Sequence, residues 1–190
     1  MTVAAGAYTI RLATAADLSR LPEIESEAAE RFAGLGAELG FSEDGPMEVN
    51  PPDTFAAAQL RGHLWVAVAP AGAVVGFAMV LLIDGNAHLE ELDVLPGHGR
   101  RGVGRSLVTT VCRWAGEAGY EWITLSTFRE IPWNGPFYRS CGFVAIDPAD
   151  YTPAMRRIVA TEKALGLRTD LRDLMRCPAP VRQGGRPPAS

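Results

Sequence analysis

The chain has 190 residues, of which 47% are hydrophobic and 21% charged, and this length and composition suit one globular domain with a substantial core. Its formal net charge of -4 gives no general attraction for nucleic acid or anionic lipid, so a bound anion needs a local basic site. Three cysteines are too few for a disulfide framework, and the sequence shows neither a membrane-length apolar run nor a signal peptide. We therefore expect a soluble, cytoplasmic protein without a nucleic-acid or membrane partner.

The N-terminal third predicts one strand followed by an interrupted helical segment. Residues 8–12 alternate between apolar and polar types, which is typical of a strand. Thr14 precedes Asp17 by three residues, a capping-box pattern that predicts the start of a helix. Residues 34–52 are rich in Gly and Pro and predict a loop or a broken helix, with a short helix over 53–61.

The rest of the chain predicts three consecutive strands joined by turns, followed by alternating helices and strands. The expected strands cover residues 64–69, 74–83, 88–94, 122–127, 143–146 and 171–175, and the expected helices cover 103–118, 136–141 and 153–165. Hairpins produce antiparallel pairs and a helical crossover permits a parallel pair, so this order predicts an α/β fold with a mixed sheet. We expect a single domain over residues 1–177 and a disordered, Gly/Pro-rich tail over 178–190.

A glycine-rich segment between the third of these strands and the long helix predicts an anion site. Glycines allow backbone N–H groups to converge on one point, and the helix N-terminus adds a partial positive charge. Arg100, Arg101 and Arg105 oppose the helix macrodipole there unless an anion is bound. The segment lacks the lysine of a Walker loop and the acidic residue about 20 positions on that a dinucleotide fold requires. The alternative is a tight turn with solvated arginines.

Two motifs in this region resemble those of a known family. Arg100-Arg101-Gly102-Val103-Gly104-Arg105-x-Leu107, directly after Leu92-Asp93-Val94, resembles the acetyl-CoA motif of the GNAT superfamily of N-acetyltransferases. Phe137-Tyr138-Arg139-x-Cys141-Gly142-Phe143 resembles the second signature of that family. The resemblance covers residues 8–176 and implies a mixed, mostly antiparallel sheet with helices on both faces and a splayed strand pair that holds acetyl-CoA. Dimerisation is common in the family, so a homodimer stays an open alternative to a monomer.

The resemblance also implies which residues bind the coenzyme. The backbone of Leu92, Asp93 and Val94 would pair with the pantetheine arm, and the pyrophosphate would sit on the amides of Arg100, Arg101, Gly102, Val103, Gly104 and Arg105. Gly99 stands where the family usually has Gln or Arg, so Arg100, His98 or the backbone alone would have to replace that contact.

The second signature contributes two further residues to the implied coenzyme site. Phe137 and Asn134 belong to it, but Asn134 lies only four residues before the tyrosine, which is closer than is usual in the family. The segment 132–136 would alternatively form a wall of the acceptor site.

Three types of side chain are candidates for the chemistry. Tyr138 matches the tyrosine that many family members use as the general acid toward the departing thiolate, the alternative being packing beside Phe137. Glu90 and Glu91 are candidates for the base that takes the proton of the amine, with His88 as a third. Adjacent strand residues point to opposite faces unless a bulge intervenes, and both glutamates would otherwise be surface residues. No residues have metal-site spacing, and Cys141 is interpreted as a packing residue.

The resulting hypothesis is acetyl transfer from acetyl-CoA to a primary amine by direct attack in a ternary complex. The alternatives are a non-catalytic acyl-CoA sensor on the same fold and a nucleotide-binding module. A cationic acceptor is favoured because Glu43, Asp44 and Glu48 lie in the N-terminal loop. The candidates for the wall of the acceptor site are the aromatic residues Phe32, Phe41 and Trp133.

Overall fold

The structure is a computed structural model that describes residues 8–40 and 49–180. The loop residues Phe41, Glu43, Asp44 and Glu48, which we expected near the acceptor, lie outside the described residues, as do residues 181–190 of the expected tail.

One seven-stranded mixed sheet runs through this part of the chain, with the strand order β1-β2-β3-β4-β5-β7-β6. The parallel pair is β4–β5, and the other neighbouring pairs are antiparallel. The predicted strands are all present, although the sixth is shorter than expected. The strands are β1 Thr9–Leu12, β2 Leu64–Val68, β3 Val74–Ile83, β4 Asn86–Val94, β5 Trp122–Phe128, β6 Val144–Ala145 and β7 Arg172–Pro178.

Helices pack on both sides of the sheet, as the sequence predicted. The long helix that follows the glycine-rich loop, Val103–Glu117, buries Leu107 and Val111 against β2–β5 in the larger core, because its apolar residues recur at helical spacing. A smaller core on the opposite side joins the N-terminal helices to Phe77 and Met79 of β3. The helices are α1 Leu21–Ala29, α2 Gly36–Leu39, α3 Pro52–Leu60, α4 Val103–Glu117, α5 Gly135–Ser140 and α6 Pro153–Ala164. No helix in the described ranges is long and apolar enough to cross a membrane.

The N-terminal helix begins as predicted but through a 3₁₀ turn. The Asp17 carboxylate accepts hydrogen bonds from the Thr14 backbone N–H (2.7 Å) and hydroxyl (2.8 Å), which is the acidic half of the capping box. Arg11 of β1 donates two hydrogen bonds, of 2.7 and 2.8 Å, to the same carboxylate. The Arg11 hydrogen bond is the main cause of the lowered pKa of Asp17. This contact fixes the first strand to the helix that follows it.

The end of the described chain corrects one boundary. Pro178 was expected to begin a disordered tail, yet it ends β7 opposite Trp122. Ala179 is buried, and its N–H donates to the Glu121 carbonyl at 3.0 Å. Gly116 leaves room for the Pro180 backbone, which a side chain at that glycine would strike. The ordered part therefore extends at least to residue 180.

A β-bulge in β4 determines which way the side chains of residues 89–93 point. Met79 of β3 pairs with Glu91 and Val80 pairs with Leu89, so Glu90 is the extra residue. Leu89 and Leu92 both contact the larger core although they are three positions apart, because the bulge reverses the alternation of side chains.

Candidate active site

Two neighbouring strands separate at the centre of the sheet. β4 and β5 pair only at Ala87 with Ile123 and at His88 with Thr124, although both strands continue beyond these pairs. The edge of β4 from Glu90 to Val94 is therefore open toward β5, and its backbone groups are available to an extended ligand. This opening is the splayed pair that the sequence predicted.

The glycine-rich loop lies at the end of this opening. Gly102 caps α4 with a positive φ of 82°, and Arg100 also has a left-handed backbone with φ of 56°. The first hydrogen bond to the cap is donated by Ser106 N to the Gly102 carbonyl at 2.9 Å, so the preceding amides of α4 point out of the helix end. Gly104 keeps that end bare beside Phe137 and Val94. Free amides at a positive helix end fit a diphosphate group.

The predicted basic residues of the loop have different surroundings. Arg105 donates to the Ser140 carbonyl at 2.9 Å and to its hydroxyl at 2.8 Å, so its charge meets the C-terminal end of α5. Arg100 lines the cavity described below, whereas Arg101 is exposed and does not. His98 lines it as well and is held by Tyr8.

A single cavity of about 1320 Å³ connects the loop, the open edge of β4 and α6. Apart from Arg101, the predicted catalytic and coenzyme-binding residues all line it. They are Glu90, Glu91, Leu92, Asp93, Val94, Arg100, Gly102, Val103, Gly104, Arg105, Asn134, Phe137 and Tyr138.

Tyr138 reaches the cavity from α5. Its ring packs edge-on against Phe137, with centroids 5.1 Å apart, and against Phe143, with centroids 5.7 Å apart. Burial, followed by the nearby carboxyls of Glu91 and Asp93, raises the pKa of the phenol well above its usual value. The hydroxyl therefore keeps its proton at neutral pH, as a proton donor must.

The bulge brings a group of carboxyls into the same cavity. Burial, and then the proximity of Asp93, raises the pKa of Glu91 well above its ordinary value. Asp93 has a pKa of about 7, raised by burial and then by Glu25, and opposed by Arg31. Both carboxyls lie on the same face of β4, and burial together with other carboxyls nearby makes each bind a proton more readily than a free carboxyl does.

Glu90 differs from this pair because its side chain is 40% exposed. Burial, and then the charge of Glu162, raises its pKa, whereas Arg172 lowers it. His88 lies beside it, with Nε2 3.7 Å from Glu90 Oε2 and Nδ1 2.8 Å from Thr124 Oγ1. Burial lowers the pKa of His88 to about 4, so the imidazole is neutral at physiological pH.

Asn134 occupies the position before α5 and connects it to β5. Its Nδ2 donates to Thr127 Oγ1 at 2.9 Å, and its carbonyl accepts from Tyr138 N at 2.9 Å. Asn134 therefore positions the helix that carries Tyr138 while its side chain lines the cavity.

The far end of the cavity contains an ion pair that the sequence did not reveal. Arg172, at the start of β7, donates to Glu162 Oε1 of α6 at 3.0 Å and to Ser126 Oγ of β5 at 3.3 Å. Its guanidinium lies 4.6 Å from the centroid of the Phe128 ring. No local motif marks these residues, because the pairing of β5 with β7 and the position of α6 bring together side chains that are 10 and 46 residues from Arg172 in the sequence. The signal available was only a charged residue at the start of an apolar strand.

Aromatic residues wall the same end. Trp133 packs edge-on against Phe32, with ring centroids 5.8 Å apart, and both line the cavity. Phe32 lies 6.3 Å from Phe128, centroid to centroid. The sequence had singled out Trp133 and Phe32 as candidates for the acceptor wall.

Comparisons with known proteins agree with this architecture. Residues 61–145, from before β2 through β6, match the family described as acetyltransferase (GNAT) domain. The crystal structure of the PaiA N-acetyltransferase from Thermoplasma acidophilum in complex with coenzyme A is similar, with a TM-score of 0.67 and 17% identity over 91% of this chain and 99% of that one. Rv2747 from Mycobacterium tuberculosis, also a coenzyme A complex, has a TM-score of 0.63 and 17% identity over 90% and 98% of the two chains. The ribosomal-protein-S18-alanine N-acetyltransferase from Escherichia coli has a TM-score of 0.61 and 19% identity over 97% and 100%.

The mixed sheet that opens between β4 and β5 beside a glycine-rich helix end is a GNAT-like fold. Residues 61–145 match the acetyltransferase (GNAT) domain in sequence, and the fold around them is similar to that of solved N-acetyltransferases. The predicted fold is thereby confirmed, and the family match agrees with the predicted acetyltransferase class and the predicted donor, acetyl-CoA. The bare helix end and the open edge of β4 fit that donor.

Proposed function

We propose that this acetyltransferase transfers the acetyl group directly to a primary amine while both substrates are bound. The observation that carries the proposal is that one cavity holds a protonated phenol, a titratable carboxylate and the open edge of β4. The amides of residues 102–105 would hold the diphosphate of the donor, and residues 92–94 would hold its pantetheine arm.

Within this proposal, Glu90 is the base. Glu91 is buried beside Asp93, and its pKa is raised well above the ordinary value, so we expect it to keep its proton; Glu90 is more open to the cleft, and its pKa is raised by burial and by Glu162. His88 stays neutral beside Glu90, and Thr124 orients its ring. His88 is thus a positioning residue and not the base.

Tyr138 is the acid in this proposal. Glu90 takes one proton from the ammonium group, so that the nitrogen can form a bond to the acetyl carbon. Tyr138 gives its proton to the sulfur as the carbon–sulfur bond breaks, and it regains a proton when the nitrogen loses its second one. The products are the amide and the free thiol, with a net release of one proton.

The test is thiol release by the full-length protein with acetyl-CoA and a broad panel of amines. We expect amine-dependent release, and we expect Tyr138→Phe to lower kcat at least about 100-fold with little change in the Kd of acetyl-CoA. Donor binding without any amine-dependent release would contradict the proposal and favour a non-catalytic acyl-CoA sensor. Unchanged turnover by Tyr138→Phe, with chemistry rate-limiting, would remove Tyr138 from the acid role.

A further inference from the structure

Three buried polar atoms at the acceptor end of the cavity have no hydrogen-bond partner. They are Trp133 Nε1, Glu162 Oε2 and Arg172 Nε, and within residues 8–40 and 49–180 they are the only such side-chain atoms. All three residues line the same cavity. Because nearly all buried polar groups in native proteins have partners, three exceptions around one cavity point to a place where a ligand would supply the missing hydrogen bonds.

These residues lie outside the two elements proposed to hold the donor, the glycine-rich loop and the open edge of β4. Trp133 precedes α5, Glu162 belongs to α6 and Arg172 begins β7, so none belongs to the glycine-rich loop or to the open edge of β4. The charge of Arg172 nevertheless acts on Glu90, Glu91 and Tyr138, since it lowers the pKa of each group. Arg172 is therefore near the reacting groups but on the acceptor side of them.

The Arg172–Glu162 ion pair uses only part of the hydrogen-bonding capacity of its two side chains. One guanidinium nitrogen, Nη2, serves both Glu162 Oε1 and Ser126 Oγ, while Nε and the second carboxylate oxygen remain without partners. The side chains are 14% and 12% exposed. Burying an incompletely hydrogen-bonded pair is costly, and a pair serving the fold alone would be expected to satisfy both edges. A small rotation of either side chain would present the missing group to the cavity.

The unpartnered atoms determine the chemistry that would complement them. Trp133 and Arg172 offer donors, so the ligand must bring hydrogen-bond acceptors, and Glu162 accepts one donor from it. A polyamine in its ammonium form carries donors only and leaves both donors unpaired. A carboxylate would meet the surrounding acidic groups, whose raised pKa values show that they are incompletely compensated. An uncharged oxygen, in an amide or a hydroxyl group, avoids both penalties.

We propose that the acceptor is a primary amine that carries an uncharged oxygen close to its amino group, and that Arg172 and Trp133 recognise this oxygen. This inference rests on the acetyl transfer proposed above. It makes Arg172 and Trp133 residues that determine acceptor specificity, while Tyr138 and Glu90 carry out proton transfer.

The experiment compares three acceptors with the same side chain. Leucinamide has an uncharged oxygen, leucine has a carboxylate, and 3-methylbutylamine has neither. Because these amines differ in basicity, the measured quantity is the kcat/KM ratio of leucinamide to 3-methylbutylamine, compared between the wild type and each variant. Arg172→Met and Trp133→Phe are the test variants. Arg157→Met, an exposed arginine of the same cavity, and Trp122→Phe, whose ring lies outside it under Arg176, are the matched controls.

We expect the ratio to fall at least about tenfold in each test variant and to stay unchanged in both controls. A purely structural role would lower the Tm and reduce both rates in parallel, leaving the ratio constant, and that result would overturn the proposal. A wild-type preference for leucine over leucinamide would overturn it as well. If Arg172→Met fails to fold, Trp133→Phe decides the question. Absence of turnover with every amine would instead defeat the proposed function itself.

Discussion

The phenolic oxygen of Tyr8 lies 2.8 Å from Nδ1 of His98, and the two rings pack edge-on with centroids 5.7 Å apart. This contact joins residues 90 positions apart, from the start of the chain to the turn before the glycine-rich loop. Gly99, which follows His98, lacks the side chain that the family usually has there. The hydrogen bond holds the imidazole at the cavity wall, and in the donor site proposed above its Nε2 would take the place of that missing side chain toward a phosphate oxygen.

The first prediction concerns this pair. Tyr8→Phe removes one hydrogen bond and keeps the ring, so we expect the Kd of acetyl-CoA to rise about three- to tenfold. His98→Ala should have at least the same effect, and His98→Gln should recover part of the affinity because it restores a donor. Calorimetry with acetyl-CoA measures each value. Tyr120→Phe, on a different aromatic cluster beside Trp114, is the control. Equal affinity in all four proteins would show that His98 does not contact the donor.

The second prediction separates the two adjacent glutamates by their pH dependence. Glu90 has a raised pKa in the folded protein, so a base at this position loses activity as the pH falls through that raised value. We expect Glu90→Gln to lower kcat at least about 100-fold and to abolish the acidic limb of the pH–rate profile. Glu91→Gln should retain that limb and lose less than about tenfold. The converse pattern would assign the base to Glu91.

The stability of the same variants provides an independent reading. A carboxyl whose pKa is raised by folding stabilises the protein while it is protonated, and this contribution is lost as the pH rises through the folded pKa. Since the pKa of Glu91 is raised well above its ordinary value, Glu91→Gln should raise the Tm at pH 8 more than at pH 5. Thermal denaturation at the two pH values tests this, and a uniform shift would show that Glu91 is not desolvated.

The third prediction concerns the first strand–helix junction. Asp17 is buried, and its pKa is lowered mainly by the hydrogen bond from Arg11, so its stabilising effect is present above the unfolded pKa and lost in acid. We expect Asp17→Asn to cost about 2 kcal/mol of unfolding free energy at pH 7 and progressively less as the pH falls below about 4. Urea denaturation at pH 7 and pH 3 measures both values. Asp170→Asn removes an exposed ion pair with Arg168 and should have no measurable effect, whereas an equal loss in both variants would contradict the argument.

Much of the fold followed from the sequence, because hydrophobic periodicity and turn residues are local signals. The consecutive strands β2, β3 and β4, the long helix after the glycine-rich loop and the Thr14–Asp17 cap were all predicted from neighbours within a few positions. The bulge was not, since an extra residue at Glu90 depends on the register with β3 and reverses which side chains face the cleft. A regular strand would have placed Glu90 and Glu91 on opposite faces.

The site was predictable only where its residues form a contiguous motif. The glycine-rich loop and Tyr138 have such motifs, whereas Arg172 and Glu162 reach the cavity through strand pairing and helix packing. Tyr8 acts on the cavity only through its long-range contact with His98. The contact of Arg105 with Ser140 is another case. The Arg105 guanidinium, which the sequence analysis placed at the anion site, thus also connects α4 and α5, the helices that carry the two motifs. A long-range contact of this kind leaves no pattern in the neighbouring residues.

The fourth prediction concerns Gly104, the position at which binding and stability should change in opposite directions. A methyl group there would lie 3.5 Å from the Phe137 ring and 3.9 Å from the Val94 side chain, which is ordinary contact, so the fold accepts it. Alanine also favours the helix by up to about 1 kcal/mol over glycine, so Gly104→Ala should raise the Tm. The same methyl group would cover the backbone amides of the first turn of α4, which face the cavity. Because the proposed diphosphate site consists of these amides, we expect the Kd of acetyl-CoA to rise at least about tenfold. Gly97→Ala, in open space outside the cavity, should change neither quantity. Undiminished affinity in a stabilised Gly104→Ala would show that the donor does not bind at this helix end.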